Sequence, residues 1–417
     1  MPYPVKYFDS THPTSPVLGA TQGDLVALLD ALLVTGHAIK TVDSITRVGS
    51  VATATVSAGH QYREGQVLLS QGWTQPEYNG EVQVLGRTAT TYTFTVTGTP
   101  TTPATTATSG TAKVAPLGFE KVFAGANKAV YRSPNLLSNR PYLRVDDSLD
   151  PVWDASYAKY AKVTMAQSMI DVDTFAGARA PYDAAYPTRN EVGTGAGNTA
   201  ANGWFKWVYA MGSNTPAYAV PTGARDWILL GDDRGFYFYT NYEPGGARGG
   251  YGLTDFDSYK PGDSFNTILC AHENPEAANS GYGYPNRRNY AAWEHQYEGR
   301  VIMRNSLQIG SPVRAAYISL SGAAGATVSG YSTNFPFPNA ADYSMVTAPV
   351  LLREESGALR GAMPGLFHIQ HRQPFPDRTV LDNMAGYAGR KFLVIGSSYE
   401  SAGNVCSQLF DITGPWR

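Results

Sequence analysis

The chain has 417 residues, room for two or three domains at roughly 100–200 residues each and for at least one sizeable core. Its 32 Lys+Arg against 34 Asp+Glu leave a formal charge of −2, which argues against a sequence-independent nucleic-acid binder, because neutralising phosphates takes a basic excess. Only 16% of residues are charged, and 43 Gly, 27 Pro and 27 Tyr fill the gap, the composition of short strands, many turns and a weakly charged exterior suited to cover by neighbouring chains.

Residues 1–40 read as an extended, proline-punctuated arm followed by a helix. Leu25, Leu28, Leu29, Leu32 and Leu33 recur at helical spacing and predict one amphipathic helix over 22–35. Thr21 is the expected N-cap, with Asp24 in the capping-box position, and Gly36 fits the left-handed residue that ends a helix. The arm either docks on a neighbouring subunit or folds back on its own domain. The opening MPYPVKYFDSTHP lacks the basic and then apolar pattern of a secretory signal, and no stretch approaches the roughly 20 apolar residues of a membrane span.

Residues 41–115 change character. VDSITRV, VATATV, QVLLS, EVQVLG and TTYTFTV are short runs, several alternating, separated by Gly49, Gly65, Gly72 and Asn79-Gly80. They predict a small antiparallel β-barrel module. The low-complexity tract 97–111, TGTPTTPATTATSGT, is expected to be a solvated loop or a bridge.

Residues 116–417 predict a larger antiparallel β-sandwich or jelly-roll-like domain with long loops, so the chain as a whole is mainly β. Core strands are expected in RPYLRVDD (140–147), KVTMAQSM (162–169), WFKWVYAMG (204–212), FNTILCA (265–271), RVIMRN (300–305), AAYISL (315–320), PVLLRE (349–354), KFLVIGSS (391–398) and QLFDITG (408–414). WILLGDDRGFYFYT is the clearest hairpin, its apolar runs flanking a polar link at 231–235. The connections 176–203, 243–262, 272–298 and 321–348 are rich in Gly, Asn, Tyr and Pro and read as long, contact-making loops.

The inventory of chemistry is sparse. None of the seven histidines sits in HExxH or HxH. His368 and His371 lie in a segment expected to be extended, where they point oppositely and do not chelate one ion. Cys270 and Cys406 form neither a disulfide framework nor a zinc pattern and read as buried thiols of a reducing compartment. Asp146-Asp147, Asp232-Asp233, Glu354-Glu355 and Asp171/Asp173 read as turn formers rather than as paired catalytic carboxyls or a calcium loop. No nucleophile elbow or phosphate-binding loop occurs, and Gly245-Gly246 and Gly249-Gly250 fall in an apparent polar loop. The most enzyme-like spot is Glu294-His295 beside Trp293 and Tyr297, read as a short amphipathic turn. The expectation is therefore no catalytic residue, no cofactor and no metal. Tyr282, Tyr284, Tyr290 and Trp293 stand as candidates for contact with a glycan or a partner.

The tract 59–105 resembles a small β-barrel module that recurs in tailed-bacteriophage and bacterial surface proteins. Gly59-His60, Gly65-Gln66-Val67, Tyr78-Asn79-Gly80 and Thr91-Tyr92-Thr93-Phe94 carry the likeness. In that module these residues are architectural, which makes His60 a turn residue. The wider chain is similar to a family of tailed-phage virion proteins, through YFDSTHPTSPVLGAT, LVALLDALLVTG, AVYRS, YLRVDD, WILLGDDRGFYFY, ALRGAMPGL and DITGPWR. The resemblance implies a non-enzymatic virion structural protein of the tail or baseplate, made in the host cytoplasm. Its partners would be other virion proteins and copies of itself in a symmetric homo-oligomer. Alternatives are a receptor- or glycan-binding tail appendage that uses residues 243–298 on a host surface glycan, and a capsid decoration protein. A third is a tail-associated glycan-degrading enzyme with Glu294 as its first candidate residue.

Overall fold

The computed structural model describes residues 3–150, 154–180, 182, 193–194, 201–202, 205–212, 219–242, 248–263, 266–273, 293, 299–302, 313–316, 345–354, 357–369, 375–397 and 406–417. The leucine stripe folds as helix, in two parts. An α-helix runs Asp24–Leu29 and continues as a π-helical stretch, Asp30–Thr35. Leu25, Leu28, Leu29, Leu32 and Leu33 are all buried, as the spacing predicts. At the far end, the Leu32 carbonyl accepts the Leu117 N–H at 2.9 Å, and the Leu33 carbonyl accepts those of Gly118 and Phe119 at 2.9 and 2.8 Å. The helix end is thus satisfied by the strand approach that follows the barrel.

The start of the helix departs from the expectation. Gly23, not Thr21, is the N-cap, at φ 96°, a left-handed conformation that favours glycine. Asp24 does reach back to accept the Thr21 N–H at 2.9 Å, which is one half of a capping box. The other half comes from 124 residues away: Oδ2 of Asp147 accepts the N–H of Gly23 at 2.7 Å and of Leu25 at 3.1 Å. Asp147 is therefore no turn former but a fully buried cap.

Residues 37–114 build two four-stranded antiparallel sheets. In one, Val67–Trp73 and Thr106–Val114 lie together at the centre, flanked by Gly80–Gln83 and His37–Thr41. In the other, Val51–Thr55 and Thr91–Thr95 are flanked by Ser44–Val48 and Gly86–Arg87. Alternation sends Ala52, Ala54, Tyr92 and Phe94 inward. The low-complexity tract needs correction: its second half belongs to the strand Thr106–Val114, paired on both sides. Pairing along Val67–Trp73, joined by His37–Thr41 from Thr111 onward, satisfies the backbone whatever the side chains are, and Gly110 leaves room for Trp73, whose ring a Cβ would meet at 2.4 Å. His60 is buried as a packing residue, stacked on Tyr62 with ring centroids 4.9 Å apart.

Apart from the short pair Gly193–Thr194 and Ala201–Asn202, the remaining described strands join a large sheet network in which every pairing is antiparallel, so the chain is mainly β. Its centre is Trp227–Gly231, Gly235–Asn241, Arg248–Asp255 and Thr267–Glu273. Both faces of this layer are buried. Trp227, Leu229, Phe236, Phe238 and Tyr251 pack on the side of the helix and barrel. Ile228, Leu230, Tyr237, Tyr239 and Cys270 pack against Val350, Leu352, Leu366, Ile395 and Phe410 on the other. The predicted hairpin is present, its turn closed by Oδ1 of Asp232 accepting the N–H of Arg234 and Gly235 at 2.8 and 2.9 Å. Strands also occupy the described parts of the other expected core segments, and His368 lies in the strand Leu359–Ile369. His371 lies outside the described residues.

Two sequence expectations change here. The segment 243–262, read as loop, contains the central strand Arg248–Asp255 with Gly249-Gly250 inside it. Its glycines are what let the strands close: a Cβ on Gly252 would lie 2.3 Å from the Phe236 carbonyl oxygen. Of the two courses open to the arm, folding back is seen: Lys6–Asp9 forms a strand against Trp227–Gly231 of its own chain. The barrel holds this arm through Lys6, which donates to Glu81 at 2.5 Å and to the Pro116 carbonyl at 2.7 Å, and through Arg63 to Asp9 at 3.1 Å. Arg248 ties the layers together, with Nη2 at 2.7 Å from Asp226 and its guanidinium bidentate on Asp377 at 2.7 and 2.8 Å. No helix among the described residues is long and apolar enough to cross a membrane.

The Asp147 cap has a proton balance of its own. The Tyr209 hydroxyl lies 2.9 Å from Asp147 Oδ1 and 2.7 Å from the Thr21 carbonyl oxygen, and it has one proton for two acceptors. A protonated Asp147 closes the chain by donating to Tyr209, which then donates to Thr21. Burial, with the Asp24 charge adding, pushes the Asp147 carboxyl up to about 8 against the hydrogen bonds from Tyr209, Gly23 and Leu25. An unfolded aspartate titrates near ~3.9, so the folded chain holds a proton that the unfolded chain has released between those values. That stabilisation is complete below pH ~4 and is lost as pH climbs through about 8. Asp147→Asn reproduces the protonated form, with an amide N–H for Tyr209 and a carbonyl for the helix. Melting temperatures from pH 5 to 9 should fall more steeply for the natural chain than for D147N. Parallel curves would refute the assignment.

Candidate functional site

Three adjacent strands, Lys128–Arg132, Tyr142–Asp146 and Lys159–Ala166, build a strongly charged cleft. Register puts Lys128 opposite Asp146, and Asp146 opposite Lys162. Arg144 lies two residues before Asp146, hence on the same face. Three cations and a carboxylate are thereby lined up across three strands by pairing alone. The next strand continues the row, with Lys206 opposite Lys162.

A turn brings in the second carboxylate. Oδ1 of Asp171 accepts the N–H of Asp173 and of Thr174, each at 2.8 Å, so Asp171 is the turn former that the sequence predicts. The turn carries Asp173 over the strands, where it accepts from Lys128 at 2.8 Å and Arg144 at 2.5 Å. Arg144 also donates through Nε to the Val172 carbonyl at 2.7 Å and through Nη2 to Asp146 at 3.0 Å. Phe175 closes one wall with the Arg179 guanidinium 4.3 Å from its ring centre. The cleft, open on one side, has a volume of about 480 Å³, with Ser148 and Leu149 among the residues around it.

Electrostatics follow from the geometry. Burial pushes the Asp146 carboxyl up, but Lys162, Arg144, Ser148 and Lys128 outweigh it and hold the group below the usual carboxylate value. Asp173 is held low in the same way, by Lys128 and Arg144 against burial. Lys206, deeper, is brought down to about 7 by burial, with Lys162 adding to the effect and Asp150 opposing it. Asp146 also accepts the Ser148 N–H at 3.1 Å and the Ser148 hydroxyl, so it forms a turn and an ion cluster at once.

The residues singled out in the sequence fall elsewhere. Trp293 lies inside the core, edge-on to Tyr237 and Tyr239 at 5.1 and 5.3 Å between ring centres. Its Nε1–H points to Gln408 Oε1 at 2.8 Å and to the Tyr239 hydroxyl at 3.1 Å. A ring so placed packs the fold and offers no outer face for stacking. Tyr282, Tyr284, Tyr290, Glu294, His295 and Tyr297 lie outside the described residues, as does Glu355. Cys270 is a buried free thiol, its proton held more firmly by burial. Among the described residues no group of three or more His, Cys, Asp or Glu side chains could hold a metal ion. The cleft itself escaped the sequence reading. Its only local signal is Arg144 and Asp146 at alternate positions of an otherwise apolar strand, and the partners come from strand register.

No protein-family model matches the chain, and no curated protein matches it significantly.

Trp293 supports a concrete expectation. Trp293→Ala should cost about 3–5 kcal/mol of unfolding free energy, read from urea denaturation, because it empties a packed core site. A loss under about 1 kcal/mol would show that the ring is not part of the core.

Proposed function

We propose that the chain is a non-enzymatic structural component of a tailed-bacteriophage particle, in the tail or baseplate, that works by fitting against other subunits. The likeness of its sequence motifs to phage virion proteins supports this reading, and one structural observation carries it. Leu136 and Leu137 are 82% and 80% exposed, side by side on one turn. That turn is fastened, not loose. Oδ1 of Asn135 accepts the Leu137 N–H at 2.9 Å, and its amide donates to Asp233 at 3.1 Å. The Ser133 hydroxyl donates to the Asp233 carbonyl at 2.6 Å, and Arg140 Nε donates to the Ser133 carbonyl at 2.9 Å. Two large apolar side chains held out on a braced turn are poor design for a chain facing water alone. They are good design for insertion into a partner, because little ordering entropy remains to be lost on docking.

Val48 and Ile170, 86% and 65% exposed at the tips of other turns, extend the same theme. The buried layers behind them supply rigidity, which a load-bearing particle component requires. Imaging of intact particles should place this chain in the tail with the 135–138 turn seated against a neighbour. Leu136→Asp together with Leu137→Asp should leave the melting temperature within a few degrees and abolish incorporation into particles. Normal incorporation of that variant, or a natural chain absent from purified particles, would refute the proposal.

A further inference from the structure

We propose that the cleft between Arg144, Lys162 and Phe175 binds a small oxyanion: the carboxylate or phosphate group of a ligand no larger than about a monosaccharide. The case rests on which hydrogen-bonding groups in the cleft are already engaged. Both oxygens of Asp146 accept, one from Ser148 and the other from Arg144, and Asp173 accepts from Lys128 and Arg144. Asp146 is therefore served on both oxygens, while Asp173 takes both of its bonds on Oδ1. Two of the cations keep donors uncommitted. Lys162, its side chain only 5% exposed, has Nζ at 3.6 Å from Asp150 and 3.7 Å from Asp146. Both exceed the ~2.7–3.2 Å of an N–H···O bond, so this nearly buried ammonium is neutralised at a distance and hydrogen-bonded to no described residue. Arg144, 4% exposed, commits Nε and Nη2 and leaves the Nη1 donors without a described partner.

Two deeply set cations with uncommitted N–H groups thus border one cavity, and a ligand offering oxygen acceptors and negative charge completes both. A cation would find both oxygens of Asp146 engaged and only Oδ2 of Asp173 without a described partner, one ligand where a cation needs several. The volume, about 480 Å³, lies within the ~300–1,000 Å³ of small-molecule sites. Phe175 and the half-exposed Leu149 provide apolar surface for a carbon skeleton beside the charged group. This inference stands apart from the reading of the chain as a particle component and does not depend on it.

Titration calorimetry at low ionic strength with glucuronate and with inorganic phosphate tests it, on the natural chain, Lys162→Met, Leu149→Glu and, as a control for charge alone, Lys260→Met. The expected result is saturable one-to-one binding of at least one probe to the natural chain and to K260M, weakened at least about tenfold in K162M. L149E alters an exposed rim position and places a carboxylate there, so it should weaken the same probe without disturbing folding. Melting curves report whether K162M is folded, and L149E decides if it is not. Glucuronate alone would identify a carboxylate-bearing sugar as the ligand class, and phosphate, alone or with glucuronate, a phosphoryl group. Absence of binding of either probe up to millimolar concentration would overturn the proposal, and so would binding that K162M and L149E leave unchanged.

Discussion

A single buried carboxyl organises the junction of the whole molecule. Asp147 directly follows a strand of the charged-cleft sheet, caps the helix that follows the arm, and meets Tyr209 from a third segment. A helix start left without a partner in the interior would strand several N–H groups at a cost of about 1–3 kcal/mol each. No local residue supplies the missing acceptor, since Thr21 makes no side-chain cap and Asp24 turns back to Thr21. The distant carboxyl is thus what allows the leucine stripe to sit between barrel and sheet. Its preference for a proton follows from the same burial that makes it useful.

The second constraint is the central layer, covered on both faces. An antiparallel sheet with one wet face shows alternation, but here WILLG and GFYFYTN are buried at every position. Such a layer requires a covering sheet on each side, and the chain provides one from residues before it and one from residues after it. The Arg248 guanidinium, bidentate on Asp377 and bonded to Asp226, pins the later sheet to the central one.

These features explain what could be read from the sequence. Strongly patterned pieces were legible: the leucine helix, the barrel strands, the hairpin at 227–241 and the apolar runs near the end. Each is fixed by contacts its own pattern announces. What escaped depends on distant partners. Thr106–Thr111 becomes a strand because it pairs along Val67–Trp73, and Arg248–Asp255 because its glycines fit under Phe236. Asp147 looks like its neighbour Asp146 in a list of residues, and only the tertiary fold separates a cap from a turn former. The cleft is a product of register, a property that no single strand carries. Trp293 drew notice as a surface aromatic because loop composition surrounds it in sequence, whereas its indole is fixed by Gln408, 115 residues further on.

The arm strand Lys6–Asp9 has a protective role that its small size conceals. Trp227–Gly231 would otherwise present a row of bare backbone donors and acceptors, the template on which copies of a chain stick edge to edge into disordered aggregates. The arm occupies that row, and its own outward charges are in turn tied down by Glu81 and Arg63 of the barrel. The seal closes only after more than two hundred further residues have been added to the chain, so the freshly made polypeptide passes through an interval in which its stickiest border lies open. Once the arm is in place, that border is closed from within the chain and is no longer open to another copy.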